Sequence, residues 1–247
     1  TTNKGKTLML GNMMEGPLLI SGLIEHAVAT NPNSEIVSRR CETDHTGSSI
    51  HRYTMKDAAK RSKQIANALI NLGAKPSDRI ATLAWNNYRH FELYFGVSGI
   101  GSVLHTINPR LFPEQLVYII NHAEDRWIFV DLTFVPLLEA IQDQISGVEG
   151  FIILADANNM PDTSLKNAVC YEALIDQSSD ELEWPTFDEN TAAALCYTSG
   201  TTGNPKGVLY SHRSTLIHAL SEISREALGI SRPSRCLVKT VRSKLSK

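Results

Sequence analysis

Apolar residues follow two spacings along the chain, one typical of amphipathic helices and the other of short buried strands. Between Leu18 and Thr30 they recur at helical spacing, which predicts a helix that Asn31-Pro32 ends. Thr54 followed by Asp57 is typical of a helix cap, and the helix behind it is predicted to run to about Leu72. Further helices are predicted over Trp85–Gly96, Pro113–Ile120, Val135–Ile145 and Tyr171–Ile175, and one begins near His212 with Ser211 as its cap.

Short apolar runs lie between these helices and predict strands. The runs are Glu35–Arg40, His51–Tyr53, Asp78–Leu83, Val103–Ile107, Trp127–Asp131, Phe151–Leu154, Ala192–Cys196 and Val208–Tyr210. Strands that alternate with helices of this length are typical of βαβ units. We therefore predict an α/β fold of mostly parallel sheets flanked by helices, with ligands bound beyond the carboxyl ends of the strands.

A stretch rich in glycine and hydroxyl side chains directly follows the strand Ala192–Cys196. It contains Thr198, Ser199, Gly200, Thr201, Thr202, Gly203, Lys206 and Gly207. Glycines let backbone N–H groups approach an anion, hydroxyls donate to phosphate oxygens, and the lysine adds a positive charge. Pro205 restricts its own backbone and that of Asn204, which helps to aim the lysine. The stretch therefore predicts a polyphosphate-binding loop, with a flexible surface turn as the weaker alternative.

This loop does not follow the Walker pattern, because Pro205 stands where that pattern needs glycine and Gly207 stands where it needs a hydroxyl. The residues from Tyr197 to Gly207 instead resemble the signature of adenylate-forming enzymes: acyl-CoA synthetases, luciferases and the adenylation domains of peptide synthetases. A second block, from Trp85 to Leu111, resembles fatty-acid–CoA ligases of the medium- and long-chain type. The resemblance covers roughly residues 15–228 and is weakest between Asp156 and Asn190.

The resemblance implies a reaction in two steps. A carboxylate attacks the α-phosphorus of ATP to give an acyl-adenylate and pyrophosphate, and coenzyme A then takes the acyl group as a thioester. ATP, Mg²⁺ and coenzyme A are thus the implied cofactor set. Positioning and electrostatic stabilisation are expected to carry the first step, with Mg²⁺ sharing the phosphate charge.

The resemblance also implies roles for residues of the loop. Thr198, Ser199, Gly200, Thr201, Thr202 and Gly203 would wrap the β- and γ-phosphates, and Lys206 would hold the loop or the leaving pyrophosphate. Thr198 is also a candidate to approach the metal. His212 is a candidate for a place near the substrate, with a plain helix-start residue as the alternative. The glutamate and the lysine that catalyse the reaction in this family are expected downstream of these 247 residues.

Members of the family are considerably longer, so we expect an incomplete N-terminal domain of an adenylate-forming enzyme that has little activity alone. Residues 1–230 are predicted to be part of the AMP-binding domain, with its phosphate loop at 197–207, and 231–247 a basic, disordered tail without the family pattern. Truncation, alternative splicing or a frame shift near Ile223 would give such a tail, and a native tail that contacts an acidic partner is the alternative. A non-catalytic fragment that binds nucleotide or associates with a full-length ligase is the alternative function.

The composition of the chain indicates which binding partners and which cellular compartment to expect. The whole chain carries a net charge of −2, and the tail holds six basic residues without an acid, so residues 1–230 carry −8, which argues against nucleic acid as a partner. The scattered cysteines Cys41, Cys170, Cys196 and Cys236 favour the cytoplasm or another reducing compartment. No apolar run approaches the roughly 20 residues that span a bilayer. The expected partners are small molecules (fatty acid, ATP and coenzyme A), together with a homo-oligomer or a full-length ligase.

Other residue groups that suggest chemistry have simpler interpretations. Cys41, His45 and His51 lack the spacing of metal ligands, which favours a polar hairpin. Gly96, Gly99 and Gly101 have the wrong order for a dinucleotide site and predict close packing of their helix against the sheet. Packing or surface roles are expected of His90, His105, His122 and His218.

Overall fold

The structure is a computed structural model that describes residues 11–13, 15–198 and 204–223. Its helices are α1 (Ile20–Thr30), α2 (Met55–Asn71), α3 (Tyr88–Gly99), α4 (Pro113–Ala123), α5 (Val135–Ile141), α6 (Tyr171–Asp176) and α7 (His212–Glu222). Its strands are β1 (Glu35–Arg39), β2 (Ile50–Thr54), β3 (Arg79–Leu83), β4 (Val103–Thr106), β5 (Asp125–Val130), β6 (Gly150–Ile153), β7 (Ala168–Cys170), β8 (Ala192–Thr198) and β9 (Lys206–Ser211). Among the residues described, no helix has the length and hydropathy needed to cross a membrane.

Seven strands form one sheet in the order β7-β6-β5-β3-β4-β8-β9. The first six are parallel, and β9 pairs antiparallel with β8 at the edge. The strands β1 and β2 form a separate antiparallel pair. The prediction of an α/β fold with mostly parallel strands flanked by helices is therefore confirmed.

Helices cover both faces of the sheet, and alternate strand residues supply the two cores. On one face α4 and α5 pack on residues such as Ala81, Ile128 and Ile153. On the other face α2, α3 and α6 pack on Ile80 and Phe129 and their neighbours. Because both faces are buried, the strands read as continuous apolar runs in the sequence.

The structure differs from the sequence predictions at several element boundaries. Helix α3 begins at Tyr88 and not at Trp85, because the Asn87 side chain caps it and accepts from the backbone N–H groups of Arg89 (3.0 Å) and His90 (3.2 Å). Helix α5 ends at Ile141, and a 3₁₀ turn over Gln142–Gln144 replaces its last predicted turn. Strand β7 was not predicted, because its three residues form too short an apolar run to indicate a strand.

Gly96 packs closely, as predicted, but against helix α2 and not against the sheet. A Cβ at this position would overlap Ile65 Cγ2 and lie 3.1 Å from the Ser62 carbonyl oxygen. We expect Gly96→Ala to lower the free energy of unfolding by about 1–3 kcal/mol, since the two helices would have to separate. Urea unfolding of the chain measures the change. Gly22→Ala is the matched control, because a Cβ on this α1 residue meets nothing within 4 Å and should be neutral or stabilising by up to about 1 kcal/mol; equal effects of the two variants would contradict the packing.

Candidate functional site

The strand pair β8–β9 forms a hairpin at the edge of the sheet, and its turn contains the predicted phosphate loop. Within the pair Tyr197 lies opposite Gly207 and Thr198 opposite Lys206. Strand β8 is also parallel to β4, so the loop leaves the sheet at the edge where the parallel strands end. That is the edge at which α/β folds bind ligands.

Thr198 and Lys206 are brought together at the base of the loop. Thr198 Oγ1 donates to the backbone oxygen of Lys206 (3.4 Å), and both side chains are exposed. Side chains directly opposite each other in an antiparallel pair lie on the same face, so the Thr198 hydroxyl and the cationic Lys206 side chain share one face of the hairpin. In the part of the chain that the structure describes, Lys206 has no carboxylate within 4.0 Å, and its side chain is exposed. The other predicted loop residues, Ser199, Gly200, Thr201, Thr202 and Gly203, lie outside the described residues, as does the predicted tail 231–247.

A cleft of about 440 Å³ lies beside the hairpin, at the carboxyl ends of β3 and β4. The Thr106 hydroxyl, which lines the cleft, lies 3.2 Å from Cys196 Sγ on β8. The remaining walls come from the segment after β3, from α3 and from the segment after β4: Ala84, Trp85, Asn86, His90, Tyr94, Ile107, Asn108, Pro109 and Arg110. This cleft was not predicted from the sequence. The signal that could have found it is the polar segment that directly follows each strand.

Asp131, at the end of β5, fixes the segment that forms one wall of this cleft. Its carboxylate accepts from the Trp85 backbone N–H (2.6 Å) and from the Asn87 side-chain amide (3.3 Å). Burial raises the pKa of Asp131 to about 6, although these hydrogen bonds oppose that rise. Since Asn87 in turn caps α3, one buried carboxyl group holds both the cleft wall and the start of the helix.

His90 lies on the inner wall of the cleft and is buried, as predicted. Its Nε2 lies 3.1 Å from the Thr82 hydroxyl, and its ring stacks on Tyr94 with 5.1 Å between ring centroids. Burial lowers the pKa of His90 to about 4, so the ring is neutral at neutral pH. Of the other histidines predicted for packing or surface roles, His105 is buried and His122 and His218 are exposed.

His212 is the first residue of α7 and is fully buried. Its Nδ1 accepts from the Ile20 backbone N–H (3.2 Å), and its ring meets the edge of Phe187 with 5.0 Å between centroids. Burial lowers the pKa of His212 to about 4. Among the described residues its contacts tie α7 to the start of α1, and a place near the substrate stays a prediction.

Within the described ranges, no group of three or more His, Cys, Asp or Glu side chains is placed to hold a metal ion. Thr198 offers a hydroxyl oxygen at the base of the loop, and Mg²⁺ prefers oxygen ligands while keeping several waters. A metal at this site would therefore be held mainly by substrate phosphates. Among the described residues, Thr198 is the one at the base of the loop whose side-chain oxygen could join them.

A family model described as AMP-binding enzyme matches residues 24–237. The chain is 52% identical over 223 residues to a 3-methylmercaptopropionyl-CoA ligase of Ruegeria lacuscaerulensis, covering 90% of this chain and 40% of that protein. It is 46% identical to a medium-chain-fatty-acid–CoA ligase of Ectopseudomonas oleovorans, with the same coverage. A long-chain-fatty-acid–CoA ligase of Thermus thermophilus is 39% identical over 85% of this chain and 36% of its own length. The chain thus spans about 40% of the length of the first two curated relatives.

Solved structures agree with the fold. An anthranilate CoA ligase in complex with anthranoyl-AMP superposes with a TM-score of 0.71 at 22% identity, over 83% of this chain and 37% of the other. A Rhodopseudomonas palustris protein described as a putative long-chain-fatty-acid CoA ligase superposes with a TM-score of 0.66 at 20% identity, over 83% of this chain and 47% of the other. At these identities the likeness concerns the fold alone.

Proposed function

Because the chain belongs to the AMP-binding enzyme family, we propose that its loop at 197–207 binds the β- and γ-phosphates of ATP in a fatty-acid–CoA ligase. The observation that carries this proposal is the pairing of Thr198 with Lys206 across the hairpin at the ligand-binding edge of the sheet. A hydroxyl donor and a cationic side chain beside a glycine-rich segment suit a polyphosphate. Ser199, Gly200, Thr201, Thr202 and Gly203 are proposed to complete the cradle through backbone and hydroxyl donors.

The proposed reaction activates a carboxylic acid in two steps. The acid's carboxylate attacks the α-phosphorus and pyrophosphate leaves, so an acyl-adenylate forms. The thiol of coenzyme A then attacks the acyl carbon, and AMP leaves as the thioester forms. The part of this chain in the reaction is to hold the phosphates. Lys206 offsets the negative charge of the departing pyrophosphate, and the Thr198 hydroxyl exchanges its long bond to the Lys206 backbone oxygen (3.4 Å) for one to a phosphate oxygen. Bound Mg²⁺ would neutralise phosphate charge beside them.

A medium- or long-chain fatty acid is the substrate class that we propose. The relatives' names support it, since two of them are medium- and long-chain-fatty-acid–CoA ligases. The third acts on a short sulfur-containing acid, which also carries its carboxylate on an apolar chain. Residues beyond this chain are proposed to set the chain length and to supply the catalytic glutamate and lysine.

Replacing Lys206 with alanine is expected to weaken ATP binding by about 10–100-fold, because a hydrogen bond from a charged group contributes about 1.5–3 kcal/mol. Thr198→Val keeps the shape of the side chain, removes one neutral donor and is expected to weaken binding by about 2–10-fold. Isothermal titration of the 247-residue chain with ATP in the presence of Mg²⁺ measures both effects.

Lys166→Ala is the control for a lost positive charge, because Lys166 is exposed and pairs with Asp143 (3.1 Å) away from the loop. The proposed role of the loop would be overturned if the wild-type chain did not bind ATP, or if Lys206→Ala bound ATP as tightly as the wild type. Little fatty-acid-dependent exchange of pyrophosphate into ATP is expected from this chain alone, because the catalytic glutamate and lysine are proposed to lie outside it. Robust exchange by the 247 residues would contradict that expectation and would exclude the non-catalytic fragment.

Association with a second copy or with a full-length ligase is a second proposal about this chain. Exposed apolar side chains on β9, on α7 and directly after α7 favour it: Leu209, Tyr210, Leu220 and Ile223.

A further inference from the structure

Tyr197 is the residue of β8 that directly precedes Thr198, and it makes contacts that the proposed chemistry does not use. Successive side chains of a strand point to opposite faces. Thr198 therefore faces the proposed ligand side while Tyr197 points to the face covered by α4, where it packs against the core of that face.

The Tyr197 hydroxyl forms a hydrogen bond with a side chain of helix α4. It lies 2.6 Å from Nδ1 of His122, and the two rings meet edge-on with 5.8 Å between centroids. Burial raises the pKa of Tyr197, and the nearby Asp125 adds to that rise. The hydroxyl therefore keeps its proton at neutral pH, and a phenol hydroxyl and an imidazole nitrogen at this distance share a hydrogen bond.

The Tyr197 ring is held from two further sides. It lies 5.1 Å from the ring of His105, which is fixed in turn by a bond of 2.7 Å between its Nδ1 and the buried Asp125 carboxylate. Across the hairpin, a Cβ on Gly207 would lie 3.3 Å from Tyr197 Cζ and 3.5 Å from its hydroxyl oxygen. Gly207 thus lies in close contact with the Tyr197 ring, and a side chain there would press on the ring by a few tenths of an ångström.

We infer that Tyr197 and His122 are positioning residues that fix the base of the phosphate loop to helix α4. The inference rests on the proposed phosphate-binding function. Thr198 and Lys206 are the last paired residues before the loop, and their direction is set by the neighbouring pair Tyr197–Gly207. Because the bond to His122 fixes Tyr197, the Thr198 hydroxyl and the Lys206 side chain are already ordered before ATP binds. Less conformational entropy is therefore lost on binding.

Tyr197→Phe removes the bond to His122 and keeps the ring, and we expect it to weaken the binding of both ATP and inorganic tripolyphosphate by about 5–10-fold. His122→Ala should weaken both by the same factor, and the double variant should be no weaker than either single variant. His122→Asn places an acceptor oxygen close to the position of Nδ1 and is expected to restore most of the affinity. Titration calorimetry of the full chain with each ligand measures these effects.

Tyr210→Phe and His26→Ala are the matched controls. Tyr210 is on β9 and is 46% exposed, and His26 is exposed on α1; neither variant should change affinity. Failure of the wild-type chain to bind either polyphosphate would overturn the proposed function. If the wild-type chain binds and Tyr197→Phe and His122→Ala bind equally well, only the positioning role is overturned. Additive losses in the double variant, or no recovery of affinity in His122→Asn, would also overturn the positioning role.

Discussion

Replacing Arg89 with methionine is expected to lower the free energy of unfolding by about 3–5 kcal/mol, the typical cost of removing one partner from a buried ion pair. Arg89 is fully buried at the start of α3. Its guanidinium donates to Glu42 (2.6 Å), Asp156 (2.6 Å) and Glu172 (2.7 Å), and also to the Leu154 carbonyl oxygen (2.9 Å). Methionine has a similar length but no donor, so the buried Glu42 carboxylate loses its counter-charge, whereas Glu172 keeps Arg61 and Asp156 keeps Arg40. Urea unfolding at neutral pH measures the loss.

The pKa of Glu172 shows how strongly this cluster depends on its arginines. Burial alone would raise the pKa, but Arg61 and Arg89 outweigh it and hold the pKa at about 2. Arg61 makes two bonds to the Glu172 carboxylate (2.9 and 3.0 Å) and one to Glu92 (2.7 Å). The cluster thereby joins α2, α3 and α6 with the segment after β1, so its loss affects several elements at once.

Arg52→Ala is the control, because the Arg52–Glu35 pair is exposed and such pairs contribute about 0–1 kcal/mol. Arg89→Lys keeps the charge but loses the planar fork, and is expected to be intermediate. Adding Glu42→Gln to Arg89→Met should cost less than the sum of the two single variants, since one unpaired buried charge is removed with its partner. A loss below about 1 kcal/mol in Arg89→Met would contradict the assigned role of the cluster.

The sequence allowed prediction of the elements of the fold but not of this cluster. Strand and helix periodicity is local, and the caps Thr54 and Ser211 were predicted correctly from a few neighbouring residues. The partners of Arg89 lie 47, 67 and 83 positions away. Arginine is almost never fully buried without partners, and no local pattern indicates which distant carboxylates will meet it.

The same distinction applies to the candidate site. Thr198 and Lys206 were predicted from their chemistry, and the position of the loop at the carboxyl edge followed from the alternation of strands and helices. The antiparallel direction of β9, which sets Thr198 opposite Lys206, was not predicted. Nor was the bond between Tyr197 and His122, which are 75 positions apart. Such contacts depend on the order of strands in the sheet, which periodicity does not determine.

The buried histidines His90 and His212 are expected to make stability fall as the pH falls from about 6.5 to about 4. An unfolded histidine has a pKa near 6.5, whereas burial lowers the pKa of each of these to about 4. In that range the unfolded chain binds protons that the folded chain excludes, so acidification favours unfolding. Above about pH 6.5 both states are neutral at these residues and the stability is fully present. Each histidine contributes on the order of 3 kcal/mol across the range.

Asp131 has the opposite effect on stability as the pH falls, so the contribution of Asp131 must be measured separately from that of the histidines. Burial raises its pKa to about 6, so between about pH 6 and pH 4 the folded chain binds the extra proton and acidification favours folding. His212→Asn keeps an acceptor near Nδ1 for the Ile20 N–H, and His90→Gln keeps one near Nε2 for Thr82. Each is expected to lose about 3 kcal/mol less stability than the wild type between pH 7 and pH 4, while Asp131→Asn loses more. Urea unfolding at half-unit pH steps measures how steeply the stability of each of the three variants and of the wild type changes with pH. If His212→Asn and His90→Gln have the same slope as the wild type, both histidine rings are already charged or solvated in the folded chain.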